Sequence, residues 1–339
     1  MTSHLSNGLL TARFDGDLAL PVVERLFRFL HPYFRKTNAA DHEIRFEIGP
    51  FCARPKKHES VLGMERQFRK SSAKPFNLWI RKGVTSNGAI VGQDDRTQTA
   101  YEFISPFHVA LWVSDQSLYH LIELFRYSAL TLMQRAGIVV LHASAVKLGN
   151  SVILITGEKG TGKTTMLIHL VKNSGGQIFS GDKVLLFEQH GRAFVMGWPD
   201  FPHIGGGTLS GFADLSVQLG LAEQDRSIPE RAKVKHLFDP HTFYRVLGEP
   251  HAEALPVRAI IFPNVAAQTG FERLDDHEVA DRLAPNIEHS VQYTVLDWHG
   301  FGGNRGINDT AQMLSLLSRE VGLRYDGRPR GTEWLSALG

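Results

Sequence analysis

Cysteine is almost absent: Cys52 is the only one in 339 residues. Intrachain disulfides and thiolate zinc clusters are therefore excluded, and the usage fits a reducing cytosol, so a cytoplasmic protein is expected. No stretch of eighteen apolar residues occurs, so no membrane-spanning helix is expected. Met1-Thr2-Ser3-His4-Leu5 has no basic segment followed by an apolar one, so no secretory leader is expected. The sixteen histidines include no His-Glu-x-x-His arrangement, which removes the zinc-protease reading. Internal repeats and low-complexity tracts are also missing. Finally, no clear apolar run ends in Asp-Glu, which counts against a motor-type ATPase.

What is present is a complete phosphate-binding loop, Gly157-Glu158-Lys159-Gly160-Thr161-Gly162-Lys163-Thr164, in a fitting context. Ser151 to Thr156 before it has buried-strand character, and Thr165 to Val171 after it keeps apolar residues at helical spacing. Strand, glycine loop and helix start in that order separate a working loop from a chance match. The glycines let consecutive N–H groups face a polyphosphate, and the helix N-terminus adds partial positive charge. Gly157 through Thr165 are thus the nucleotide-binding candidates. Lys163 is expected to reach the β- and γ-phosphates of ATP, and the Thr164 hydroxyl to ligate Mg²⁺.

The 42% hydrophobic content can build two domains. The pattern suggests an N-terminal α+β accessory domain over 1–137 and a nucleotide-binding domain over 138–339. In the first, a helix is expected from Pro21 to Phe34, with strands at Glu43–Ile48, Phe76–Arg81, Ala100–Ile104 and His108–Val113 and a turn at Asn87-Gly88. Leu118, Leu121, Ile122, Phe125, Ala129, Leu132 and Met133 mark a long amphipathic helix, capped by Asp115 and bridging the two parts. In the second, strands are expected at Ile138–Lys147, Lys183–Phe187, Lys233–Leu237 and Val257–Phe262, and helices at Asp239–Leu247, Asp276–Leu283 and Asp309–Val321. Between Arg54 and Lys82 nine Lys or Arg stand against Glu59 and Glu65, a segment of +7 in a chain of +2. Such a face attracts anions, and an acidic protein or peptide is the partner it suggests. No zinc knuckle or RNP motif supports nucleic acid.

From Leu141-His142, through the loop fifteen positions on, to Ser180-Gly181-Asp182-Lys183-Val184, the chain resembles the catalytic core of the HPr kinase/phosphorylase family. The resemblance is convincing over roughly 45 residues. It implies an α/β fold: a P-loop kinase core of the HPr kinase/phosphoenolpyruvate-carboxykinase type, a twisted mixed sheet with the loop beside a cleft. The activity it implies is ATP-dependent transfer of the γ-phosphate to a hydroxyl of a small protein, a peptide or a small molecule. Under the resemblance Asp182 becomes the candidate for metal binding or for taking the hydroxyl proton, and His142 for orienting the γ-phosphate or the acceptor.

Two departures stand out. The family's aspartate pair is here Gly181-Asp182, leaving one carboxylate role to water, to His142 or to a residue elsewhere. The family's arginine-containing signature is replaced by Gly197 to Thr208, with its Gly205-Gly206-Gly207 run, which weakens any phosphorylase activity and HPr itself as acceptor. Arg231, Lys233, Lys235, Arg258 and Arg273 remain unranked as a second phosphate clamp. Two alternatives stay open: a nucleotide-binding regulator without phosphotransfer, supported by the missing aspartate, and a P-loop ATPase.

Overall fold

Prolines set the ends of the first helix. Pro21 stands at its start, where a missing N–H costs nothing, and α1 runs Pro21–Leu30. The expected continuation to Phe34 does not form, because Pro32 pushes His31 into extended backbone (φ −69°, ψ 142°). The computed structural model describes the chain except residues 39–40, 42, 70–73, 222–233, 266–269, 289–306 and 339, and the side chains of 57, 74, 307, 308 and 338. The described residues form two units: Met1–Ala136, and Gly137–Glu288 with the described part of Gly306–Gly339.

The first unit is built on nine strands: β1 Thr2–Ser6, β2 Thr11–Gly16, β3 Arg35–Lys36, β4 Ile44–Pro50, β5 Glu65–Arg69, β6 Leu78–Val84, β7 Ile90–Asp94, β8 Thr99–Ser105 and β9 His108–Val113. Their order is β3-β1-β2-β4-β9-β8-β7-β6-β5. β4 lies parallel to β2 and to β9, and the remaining pairs are antiparallel. Aromatic rings from sheet and helices fill its core, with Phe14 against Phe27 and Phe46, and Phe34 edge-on to Phe125.

Helix α2 spans Leu118–Arg135 and differs from its expected form in two ways. Ser117, not Asp115, is the residue at its start, and Ser117 makes no side-chain cap. Its hydroxyl is committed elsewhere, accepting from the Ser114 N–H at 2.9 Å and from Thr99 Oγ1 at 2.8 Å. Nor is α2 amphipathic in the usual sense, because His120, Glu123, Arg126, Ser128 and Thr131 are buried along with its apolar residues. Pairing makes this tolerable: Glu123 meets Arg69 and Arg126, and His120 Nε2 lies 3.0 Å from Asp94.

In the second unit, the strands are β10 Val139–Leu148, β11 Ser151–Thr156, β12 Gln177–Ser180, β13 Lys183–Gln189, β14 Arg192–Gly197, β15 His203–Gly205, β16 Lys235–Leu237, β17 Leu255–Asn264, β18 Gly270–Leu274, β19 Ile287–Glu288 and β20 Val321–Asp326. The helices are α3 Lys163–Asn173, α4 Gly206–Gly211, α5 Ala213–Gln218, α6 Pro240–Leu247, α7 Asp276–Leu283 and α8 Ile307–Leu317. The architecture is mixed α/β, with a parallel centre formed by β11, β17 and β20. Long strands β10 and β17 exchange partners along their length. The first half of β10 pairs with β13 and β19, and its second half with β11 and β12. One core lies against α3, with Met166, Leu167 and Leu170 packed on Ile153, Ile155 and Ile261. The other holds Leu141, Ala143, Leu154, Val184, Val195 and Ile260.

Two of these helices form where expected. Asp239 caps α6, accepting from the His241 and Thr242 N–H groups, and Asp275 and Glu278 close a capping box on α7. Helix α8, by contrast, ends at Leu317 rather than Val321. Val321 instead opens β20, because parallel pairing with β17 claims the segment. Among the described residues no helix is long and apolar enough to cross a membrane.

Candidate functional site

The glycine loop joins α3 to the end of β11, a strand flanked by β10 and β17. Gly157, Gly160 and Gly162 all have positive φ, at 138°, 93° and 111°. Gly162 is constrained twice over, because a Cβ there would stand 2.2 Å from Val265 Cγ1. A hydrogen bond from the Val265 N–H to the Thr161 carbonyl, 3.0 Å, ties the loop to the end of β17. The first N–H groups of α3 have no intrahelical acceptors, as at every helix start.

Lys163 folds back over the loop, donating to the Gly157 carbonyl at 2.7 Å and the Glu158 carbonyl at 3.1 Å. Its side chain is buried, and desolvation lowers its pKa against the opposing pull of Asp182. Glu158, Lys159 and Gly160 are exposed, while Thr161, Gly162, Thr164 and Thr165 are half-buried. Thr165 Oγ1 meets Thr208 Oγ1 at 2.7 Å, so the glycine-rich corner rests on the loop helix. Within that corner, Gly206 and Gly207 open α4 rather than a loose connection.

Four ionisable side chains gather around β10, the strand paired with β11. On β10, His142 lies across from Lys183 on β13. The turn between β12 and β13 carries Asp182, its conformation held by Ser144 Oγ donating to the Gly181 carbonyl at 2.6 Å. Glu288 comes from β19, on the other side of β10. His142 Nδ1 is 3.5 Å from Asp182 Oδ1 and 3.6 Å from Glu288 Oε1. Lys183 Nζ is 3.0 Å from Glu288 Oε2 and 3.6 Å from Asp182 Oδ2. Two carboxylates thus face the same two nitrogen atoms.

The electrostatics follow from this packing. Desolvation works against ionisation of Asp182, but the charges of Lys183, His142, Lys163 and His203 outweigh it and hold its carboxyl well below the usual range. At His142 desolvation dominates and lowers the pKa, with Asp182 and Glu288 pulling the other way. The imidazole is therefore neutral at pH 7.

The basic candidates are now distinguishable. Lys235, on the strand paired with His203–Gly205, contributes a charge that Lys163 feels. Arg258 follows Val257, which pairs with Val152 near the start of β11, at the far end of that strand from the loop. Arg273 is exposed on β18, separated from β11 by β20 and β17. Arg231 and Lys233 lie outside the described residues. In the first unit the basic segment is partly neutralised. Arg54 meets Glu59, Arg69 meets Glu123 and Arg81 meets Asp95, while Lys56 and Arg66 are exposed.

Sequence reasoning did not select Glu288 or Lys183. Lys183 directly follows Asp182 on a strand that was expected, so strand pairing with His142 was the available signal. Glu288 had none, since its contact with Lys183 spans 105 residues.

No family model matches the chain, and no curated protein matches it. Among solved structures it is similar to the Hpr(Ser) kinase/phosphatase from Coxiella burnetii, at 14% identity over 40% of this chain and 72% of that one, with a TM-score of 0.22. A likeness that faint carries no argument about the site.

Proposed function

We propose that the second unit binds ATP and transfers its γ-phosphate to a hydroxyl. The observation that carries this reading is the buried Lys163 side chain, folded onto the loop carbonyls at the start of α3. Phosphoryl transfer asks for charge neutralisation and alignment more than for covalent help. Lys163 supplies the first, and the amides at the start of α3 supply the second. Mg²⁺ takes oxygen ligands and relies on few protein groups beside the phosphates, which suits the Thr164 hydroxyl and the Asp182 carboxylate. It would neutralise charge on the bound phosphates. Neutral His142, set between the carboxylates, can hold a hydrogen bond to phosphate or acceptor without adding charge.

Isothermal calorimetry with Mg·ATP and labelled-phosphate transfer to serine and threonine peptides and to small alcohols test the reading. Lys163→Ala is expected to keep the fold, lower Mg·ATP affinity at least tenfold and abolish transfer. Normal transfer by that variant would overturn the mechanism. Gly181, at the position of a second aspartate, favours one other reading, a nucleotide-responsive regulator. Saturable ATP binding with no phosphorylated product from any acceptor would select it.

A further inference from the structure

The turn before β13 offers one carboxylate, and a hydroxyl acceptor needs a group to receive its proton. We infer that Glu288 is that group, a catalytic residue delivered by β19. The inference rests on the kinase reading above.

Position divides the work between the two carboxylates. Asp182 comes from the turn before β13, and Glu288 from β19, which pairs with β10 on its other edge. Both reach His142 Nδ1, Asp182 at 3.5 Å and Glu288 at 3.6 Å. An acceptor oxygen in line with the γ-phosphorus arrives from the side away from the leaving β-phosphate, and a carboxylate on a separate strand from the metal-ligand candidate Asp182 suits that approach. Lys183 donates to Glu288 Oε1 at 3.2 Å and lies 3.0 Å from Oε2, so it fixes the carboxylate's orientation. Glu288 still keeps 18% of its side chain open, enough for a ligand to reach. Lys183, at 6% exposure, is a positioning residue.

The step balances. The acceptor O–H proton passes to a Glu288 carboxylate oxygen as the acceptor oxygen bonds to the γ-phosphorus. The bond from that phosphorus to the β–γ bridging oxygen breaks, ADP carries away the electron pair, and the proton on Glu288 is released to solvent. Products are a phosphate ester, ADP and one proton.

Glycine at 181 makes an internal control available. A Cβ at that position meets nothing within 4 Å, so a carboxylate can be returned beside Asp182 without a clash. The experiment measures release of phosphate from Mg·ATP to water and transfer to a panel of serine and threonine peptides. Wild type, Glu288→Gln, Glu288→Asp and the double variant Gly181→Asp/Glu288→Gln are compared, with Mg·ATP affinity from calorimetry and folding from circular dichroism. Glu288→Gln is expected to lower kcat at least 100-fold while KM for ATP and Mg·ATP affinity stay within about twofold, the span for a lost general base. Glu288→Asp and the double variant are expected to recover at least tenfold of that loss. Near-normal kcat in Glu288→Gln overturns the assignment and leaves the kinase reading standing. So does a parallel loss of kcat and Mg·ATP affinity with no recovery in either rescue variant. A wild-type protein that binds Mg·ATP yet turns it over with no acceptor overturns both.

Discussion

At the scale of single residues, position 181 is informative because nothing there requires glycine. Its backbone lies outside the left-handed region and its missing Cβ would meet open space. Gly181→Asp is therefore expected to change stability by less than about 0.5 kcal/mol, as measured by denaturant unfolding. Gly162 is the opposite case. Its φ of 111° and the 2.2 Å approach of Val265 Cγ1 to a would-be Cβ act together. Gly162→Ala is expected to cost about 1–3 kcal/mol and to weaken Mg·ATP binding at least tenfold, read by unfolding and by calorimetry. The two glycines look alike in the sequence, since only the surrounding atoms distinguish them. Lys163 was legible from the spacing of the glycine loop, and Asp182 and His142 only from the family resemblance. Glu288 was not, because a two-residue strand has no periodicity to read and its partners lie far away in sequence.

Among elements, the legible ones were those whose ends carry their own chemistry. Asp239 with Pro240 announces α6, which forms where that signal stands, and α7 forms over its expected Asp276–Leu283. Elements fixed by partners were read less well. Strands β1 and β2 escaped notice because their residues mix polar and apolar types without a clear run. Helix α8 was read on to Val321, the first residue of β20, and the rest of that strand was not read at all. Helix α2 shows the same limit in another form. Its spacing gave the helix, but the burial of Glu123 and His120 depends on Arg69 and Asp94, which the helix sequence cannot reveal.

On the scale of the whole molecule, each unit has its own core and its own polar anchor. In the first unit that anchor is Asp15, which accepts from Thr2 at 2.7 Å and from Arg13 and Arg45, each at 2.8 Å. Desolvation opposes its ionisation, but these donors prevail and lower its pKa to about 2. Because the folded value lies below the unfolded one, the stabilisation is complete above about pH 4 and is lost as pH falls through about 2. Asp15→Asn is expected to cost about 1–3 kcal/mol at pH 7, with the gap to wild type closing between pH 4 and pH 2 in calorimetric melts. In the second unit the anchor is β10, which carries His142 at the point where its partners change. Leu141, Ala143 and Ala145 enter one core while His142 takes the other side of the strand. A strand repeats every two residues, so the chemistry here depends on parity. Deleting one residue between Val139 and His142 would carry the imidazole into the apolar interior, whereas deleting two would preserve its side. An odd-numbered deletion in this strand is therefore expected to withdraw the histidine from Asp182 and Glu288, however intact the glycine loop.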